Sequence, residues 1–300
     1  MNLFPNYIKK IAVVAPAGPP DKTDLYASLK LIKSLGYEVK IGANVLNNDG
    51  IDYLSSSAKN RVSDIHSFWQ DESIDLIISA KGGFGSAQLL PYLDWGLLKS
   101  RNIPFLGYSD LSALHLGMYA KGVSKLISAP MFCLFNKVKN DDYTLNSLRN
   151  SVEDEKNSER LIEAKYHRKL LTLKKGSAES EIIPVTLSVL VTLIGTNFMP
   201  DFKNKILLIE DINEPVYKID RYLTHLHHAG ILSEISGLLC GYFTKCGNQK
   251  ERITLFSSFA KIINGPVIMN IPFGHTYPRI SVAFGESCVI RNGEEIFFNC

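Results

Sequence analysis

Four short apolar runs, each leading into a turn or a helical pattern, constrain the first half of this chain more than any other feature. Ile11–Val14 runs into the Pro- and Gly-rich turn Ala15–Pro20 and a helix predicted over Lys22–Leu35. Tyr37–Ile41 precedes a helix over Lys59–Gln70, and Leu76–Ala80 is the third run. Ile103, Phe105 and Leu106 form the fourth around Pro104, after which Gly107 permits a sharp turn and Leu111, Leu114 and Met118 fall on one helix face. Strands alternating with helices in this way assemble as a doubly wound, mostly parallel α/β sheet. Ligands of such sheets bind beyond the carboxyl ends of the strands, so the turns at those ends carry the chemistry.

Two of these turns stand out. Tyr108, Ser109 and Asp110 occupy the tight corner between the fourth run and its helix, which projects a serine hydroxyl beyond the sheet edge in the manner of a nucleophile elbow. The same residues also serve widely as plain helix caps. The other turn, Ala80–Ser86, places Gly82 and Gly83 directly after the third run, where adjacent glycines let backbone amides approach developing negative charge. It lacks the Lys-Ser/Thr ending of a P-loop and the full dinucleotide fingerprint, and an ordinary tight turn has the same composition.

With 300 residues and 45% hydrophobic content, the chain is long enough for two domains. Between Phe135 and Lys175 it turns polar and charge-rich, which suggests an N-terminal α/β domain over 1–135, a linker over 136–172 with room for one amphipathic helix, and a C-terminal α/β domain over 173–300. In the second half an apolar stretch, Leu187–Leu193, leads into Gly195 and Thr196. The run Lys205–Glu210 reads as a buried strand delivering Glu210 to its carboxyl end. Pro215 suits the start of a helix reaching Ala229, with Gly230 as its stop. Gly237–Phe243 and Pro266–Met269 read as further strands, separated by a helix near Leu255–Ile263. His275 follows on the loop Ile271–Thr276, away from any helix face, where a surface turn histidine is the plain alternative.

Thirty-three Lys and Arg against 30 Asp and Glu leave a net charge of +3 without clustering, which argues against nucleic acid or an anionic membrane as partner. The apolar run near the N-terminus is too short to span a bilayer, and its flanks lack a secretory pattern, so a cytoplasmic protein is expected. Cys133, Cys240, Cys246, Cys288 and Cys300 are odd in number and show no paired-ligand spacing, so neither a disulfide framework nor a zinc site is indicated. His225, His227 and His228 cluster in a helical stretch without carboxylate or thiolate partners and read as surface and packing residues. No metal and no organic cofactor is expected.

A serine nucleophile needs a base to take its proton, and the imidazolium so formed needs an acceptor to orient it. Ser109, His275 and Glu210 supply those three roles. The segments GYSD (Gly107–Asp110), KGGFGS (Lys81–Ser86) with LLPYLDW (Leu89–Trp95), LIEDINEPVYKIDRYL (Leu208–Leu223) and PFGH (Pro272–His275) together resemble the LD-carboxypeptidase family of serine peptidases. That family includes muramoyl-tetrapeptide carboxypeptidases and microcin C self-immunity peptidases. The resemblance keeps motif order over nearly the whole chain. It implies a Ser109–Glu210–His275 triad divided between an N-terminal and a C-terminal domain, with the active site in the interdomain cleft. It further implies an oxyanion hole of backbone amides at Asp110 and the Gly82-Gly83 turn.

The substrate implied is a small peptide, murein tetrapeptide, losing its terminal D-alanine by hydrolysis of an L,D bond during cell-wall recycling. A peptidase acting on peptidyl or aminoacyl adenylates is the first alternative, and a non-catalytic ligand-binding protein the second. Retention of all three triad positions argues against the second. A homodimer is compatible with the resemblance. Two departures are visible: Lys81 stands where relatives have arginine, which keeps charge but not a bidentate fork, and Pro184-Val185-Thr186 stands where they carry Gly-Gly-Asn. The second is expected to bear on specificity and to leave the triad untouched.

Overall fold

The computed structural model describes residues 3–47, 49–153, 159–161 and 169–299. The chain divides into two compact units, Met1–Glu153 with Asn197–Pro200, and Asp154–Thr196 with Asp201–Cys300.

In the first unit, strands β1 (Lys10–Val14), β2 (Glu38–Ile41), β3 (Leu76–Ser79), β4 (Phe105–Gly107) and β5 (Leu126–Ser128) lie in the order β2-β1-β3-β4-β5. Every neighbouring pair among them is parallel, as the strand–helix alternation requires. The intervening helices are α1 (Lys22–Ser34), α2 (Ala58–Gln70), α3 (Trp95–Lys99) and α4 (Leu111–Ala120). Short polar side chains start the first two: Asp21 accepts from the Asp24 amide at 3.0 Å, and Ser57 from the Asn60 amide at 3.3 Å. Helices cover the sheet, so β3 and β4 are buried at every position. Trp69 of α2 meets Phe105 of β4 edge-on at 6.4 Å between centroids, a pair of buried side chains that each contribute roughly 1.5–3 kcal/mol through lost water contact.

Part of the polar stretch over 136–172 belongs to this unit. Helices α5 (Phe135–Val138) and α6 (Asp142–Val152) occupy it, and α6 buries Leu148 and Val152 while its polar side faces out. Leu148 and Val152, four residues apart within a polar segment, give that helix its apolar stripe. Residues 154–158 and 162–168 of that stretch lie outside the described residues.

The second unit is built on an eight-stranded mixed sheet. Its strands are β6 (Glu159–Leu161), β7 (Leu171–Lys174), β8 (Ala178–Thr186), β9 (Ile206–Ile212), β10 (Gly237–Thr244), β11 (Val267–Met269), β13 (Glu286–Arg291) and β14 (Glu295–Asn299), with the two-residue strand β12 (Val282–Ala283) preceding β13. The order is β6-β14-β13-β8-β9-β10-β11-β7. The centre, β8 to β11, is parallel, and antiparallel strands flank it on both sides. Helices α7 (Leu187–Leu190), α8 (Val216–His228), α9 (Ile231–Glu234) and α10 (Gln249–Phe259) complete the unit.

Three stretches read from the sequence differ here in extent or type. The strand expected to end at Glu210 continues two residues further, because Asp211 and Ile212 still pair with Phe243 and Thr244 across a bulge in β10. The helix expected near Leu255–Ile263 starts six residues earlier, at Gln249, where Asn248 and Glu251 form a reciprocal capping box. The apolar stretch Leu187–Leu193 is one short helix followed by a single 3₁₀ turn, preceded by the long strand β8.

Candidate active site

The first unit brings together the serine corner and the glycine turn. Gly107 closes β4, and a Cβ there would collide with Leu111 of the following helix, so only glycine fits. Ser109 has φ +65, a left-handed conformation that costs a serine on the order of 1–2 kcal/mol and marks a backbone bent for a purpose. Asp110 then enters α4, and the Ser112 amide donates to the Ser109 carbonyl at 2.9 Å. The corner has the sharp, left-handed strand-to-helix backbone expected of a nucleophile elbow.

Asp110 does not cap the helix with its side chain. Its carboxylate accepts instead from the Ser86 amide at 2.8 Å, while the Ser86 hydroxyl donates to the Asp110 carbonyl, tying the elbow to the end of the Gly82–Gly85 turn. Burial pushes the Asp110 carboxyl up, against the opposing pull of the Ser86 and Gly85 amides and the nearby Arg61 charge.

The glycine turn is braced from two sides. Gly18, in the loop after β1, donates its amide to the Gly82 carbonyl at 3.2 Å. Buried Arg61 of α2 donates to the carbonyls of Ser56 (2.9 Å), Pro16 (2.5 Å) and Gly85 (3.0 Å), and to Gln88 Oε1 at 2.7 Å. Gly83 has φ +119, which a side-chain-bearing residue adopts only under strain. Gly82 lies so close to Ser109 that a Cβ on it would sit 3.0 Å from Ser109 Cβ and 3.1 Å from Ser109 Oγ. Lys81 beside it is exposed.

The second unit joins the other two predicted residues. Glu210 is the fifth residue of β9 and is 1% exposed. His275 follows β11 on the loop that Gly274 opens, and its Nδ1 lies 2.8 Å from Glu210 Oε2. With the proton on Nδ1 donated to the carboxylate, Nε2 is the basic nitrogen. The other carboxylate oxygen, Glu210 Oε1, accepts from the Thr186 hydroxyl at 2.5 Å. Thr186, last of the Pro184-Val185-Thr186 departure, therefore touches Glu210 directly, because β8 pairs with β9 in a register that sets the two residues opposite each other.

Asp211, next in β9, points the other way along the pleat and accepts from the Ser188 amide at 2.7 Å and hydroxyl at 3.1 Å. Burial, reinforced by the neighbouring Glu210 charge, pushes its carboxyl up to about 6.

His225, His227 and His228 are exposed in the last turn of α8. Among the described residues no group of His, Cys, Asp and Glu is arranged to hold a metal ion. Cys133, Cys240, Cys246 and Cys288 are buried thiols, and burial raises the proton affinity of each. No described helix is long and apolar enough to cross a membrane.

Residues 11–128 match the LD-carboxypeptidase N-terminal domain, and residues 179–290 match the LD-carboxypeptidase C-terminal domain. The chain belongs to the LD-carboxypeptidase family. The probable murein peptide carboxypeptidase of Bacillus subtilis (strain 168) is 29% identical over 309 residues, covering 98% of this chain and 93% of that protein. The murein tetrapeptide carboxypeptidase of Pseudomonas aeruginosa is 26% identical over 304 residues, covering 94% of this chain and 93% of that one. Among solved structures, the MccF-like protein from Bacillus anthracis str. Ames superposes with a TM-score of 0.89 at 25% identity, over 98% of both chains. A family member with these relatives is a peptidase, a hydrolase of amide bonds.

Arg61, the bond from Thr186 to Glu210 and the part played by the Asp110 carboxylate are what sequence reasoning missed. Arg61 sits in a helix whose apolar face gives no sign of an inward guanidinium. Thr186 becomes legible only once β8 is known to be a strand and its register against β9 is set.

Proposed function

We propose that this protein is a serine-type LD-carboxypeptidase that removes the terminal D-alanine of murein tetrapeptide. The observation that carries the serine mechanism is the left-handed Ser109 at the end of β4, with Gly82 packed against its hydroxyl. The substrate is taken from the relatives, which carry murein peptide and murein tetrapeptide carboxypeptidase as names.

In this reading Ser109 Oγ attacks the carbonyl of the L,D bond. His275 Nε2 takes the serine proton and passes it to the departing D-alanine amine, and a water then repeats the sequence to release the tripeptide. Glu210 holds the imidazole through Nδ1 and stabilises the imidazolium in each half-reaction. The oxyanion is met by backbone amides at Asp110 and the Gly82-Gly83 turn. Such donors contribute because they are oriented before the charge develops. The linkage of Asp110 to Ser86 and of Arg61 to Gly85 keeps elbow and turn in one frame.

The test is hydrolysis of murein tetrapeptide by purified protein, followed by mass spectrometry for tripeptide and D-alanine, with Ser109→Ala in parallel. Product from the wild type and none from the variant is expected. Wild-type levels of product from Ser109→Ala would end the serine reading. A second reading, hydrolysis of aminoacyl adenylates, is favoured by the likeness to the MccF-like protein. An aminoacyl sulfamoyl adenosine assayed beside the tetrapeptide separates the two by kcat/KM.

A further inference from the structure

We propose that Thr186 is a positioning residue for the catalytic histidine, acting through Glu210: its hydroxyl holds one carboxylate oxygen so that the other is presented to His275 Nδ1. The inference rests on the triad reading above. Thr186 ends β8 and lies directly opposite Glu210 in the parallel β8–β9 pair, so the two side chains share one face of the sheet. Both are buried, at 4% and 1% exposure. Oε1 takes the Thr186 hydroxyl at 2.5 Å and Oε2 takes the imidazole at 2.8 Å.

A carboxylate held by one donor turns about its last torsion, which is broad and soft. Held by two donors on different strands and loops, its plane is fixed, and with it the direction of the imidazole. Thr186 is suited to this use. Its β-branched side chain has few rotamers at a strand position, so the hydroxyl is delivered by the backbone and not by a flexible arm. The bond is also charge-assisted, because the acceptor is an ionised carboxylate in a dry setting.

Thr186→Val keeps shape and β-branching and deletes the donor. The expected result is a kcat about tenfold lower on murein tetrapeptide with KM within twofold. Thr186→Ser, which keeps the hydroxyl, is expected to return kcat to within about threefold of wild type. Should the valine variant melt too low to assay, Thr186→Ala, which also lacks the donor, carries the same expectation. A wild-type kcat in Thr186→Val or Thr186→Ala overturns the inference, as does a loss in Thr186→Ser equal to that in Thr186→Val. Ser109→Ala assayed beside them separates the two levels: activity there defeats the triad reading itself, whereas an inert Ser109→Ala with an unaffected Thr186→Val defeats only the role of Thr186.

Discussion

Adding one methyl group to Gly82 tests whether the glycine turn and the serine corner work as a single device. The Cβ of Gly82→Ala would lie 3.0 Å from Ser109 Cβ and 3.1 Å from Ser109 Oγ, with Met131 Cε at 3.7 Å behind it. Comfortable carbon contacts begin near 3.5 Å, so about 0.5 Å must be found somewhere. Ser109 has little room to supply it, since its left-handed backbone is fixed between β4 and α4. The turn has little either, with the Gly82 carbonyl bonded to Gly18 and the Gly85 carbonyl to Arg61. The Ser109 hydroxyl and the amides of the glycine turn, the nucleophile and oxyanion donors of the proposed mechanism, are therefore pushed apart by a few tenths of an ångström. A misplacement of about 1 Å costs on the order of a hundredfold in rate, so about tenfold is expected here, mainly in kcat. Stability should change by no more than about 1 kcal/mol, because the strain of overpacking is offset by the smaller entropy of the unfolded alanine chain. The measurement is kcat and KM for D-alanine release, with a thermal melt on the same samples. A kcat within twofold of wild type would refute the reasoning, because it would mean that the contact between Gly82 and Ser109 is slack.

Three further outcomes are expected. Glu210→Gln keeps the shape of the acid but removes its charge and disturbs the histidine tautomer, so steady-state kcat should fall on the order of 10³- to 10⁴-fold with the fold retained by circular dichroism; a loss under tenfold would show that Glu210 does not orient the base. Asp211 binds its proton more tightly folded than unfolded, so its contribution to stability is full below about pH 4 and is lost as pH rises through about 6, a swing of up to about 3 kcal/mol. Urea melts from pH 4 to 7 should show a shallower fall for Asp211→Asn than for wild type, and identical slopes would reject the assignment. Ser109→Gly should be inactive yet more stable than Ser109→Ala by about 1 kcal/mol, since glycine accepts the φ of +65 that alanine does not; equal melting midpoints would mean that the elbow carries no strain.

Most of the parallel strands were legible in the sequence, β5 and β8 excepted, and the antiparallel part of the second unit was not. Ile11–Val14, Leu76–Ala80 and Lys205–Glu210 are continuous apolar runs because sheet and helices bury both of their faces, and such runs announce themselves. The stretch Ala178–Thr186 changes character midway: its first four residues alternate between half-buried and exposed, and its last five are buried. A strand that pairs with β13 on one side and β9 on the other presents neither a clean alternation nor a clean run. Its register, and with it the partner of Glu210, stayed out of reach.

The site residues divide by the same physics. Ser109, Gly82, Gly83, Glu210 and His275 stand on turns or at the carboxyl-terminal part of strands, where a residue type unsuited to packing has to be explained by chemistry. Arg61 and Thr186 stand inside a helix and a strand, where each is an unremarkable choice for the element and only its partners betray it. Arg61 satisfies four acceptors from segments far apart in sequence, and Thr186 donates to a carboxylate oxygen one strand away. Both spend their hydrogen bonds on holding other groups still. Supporting residues of this kind leave no local pattern, because the constraint on them is a distance to something distant in the chain. That is why a motif can identify the groups that react long before it identifies the groups that keep them in place.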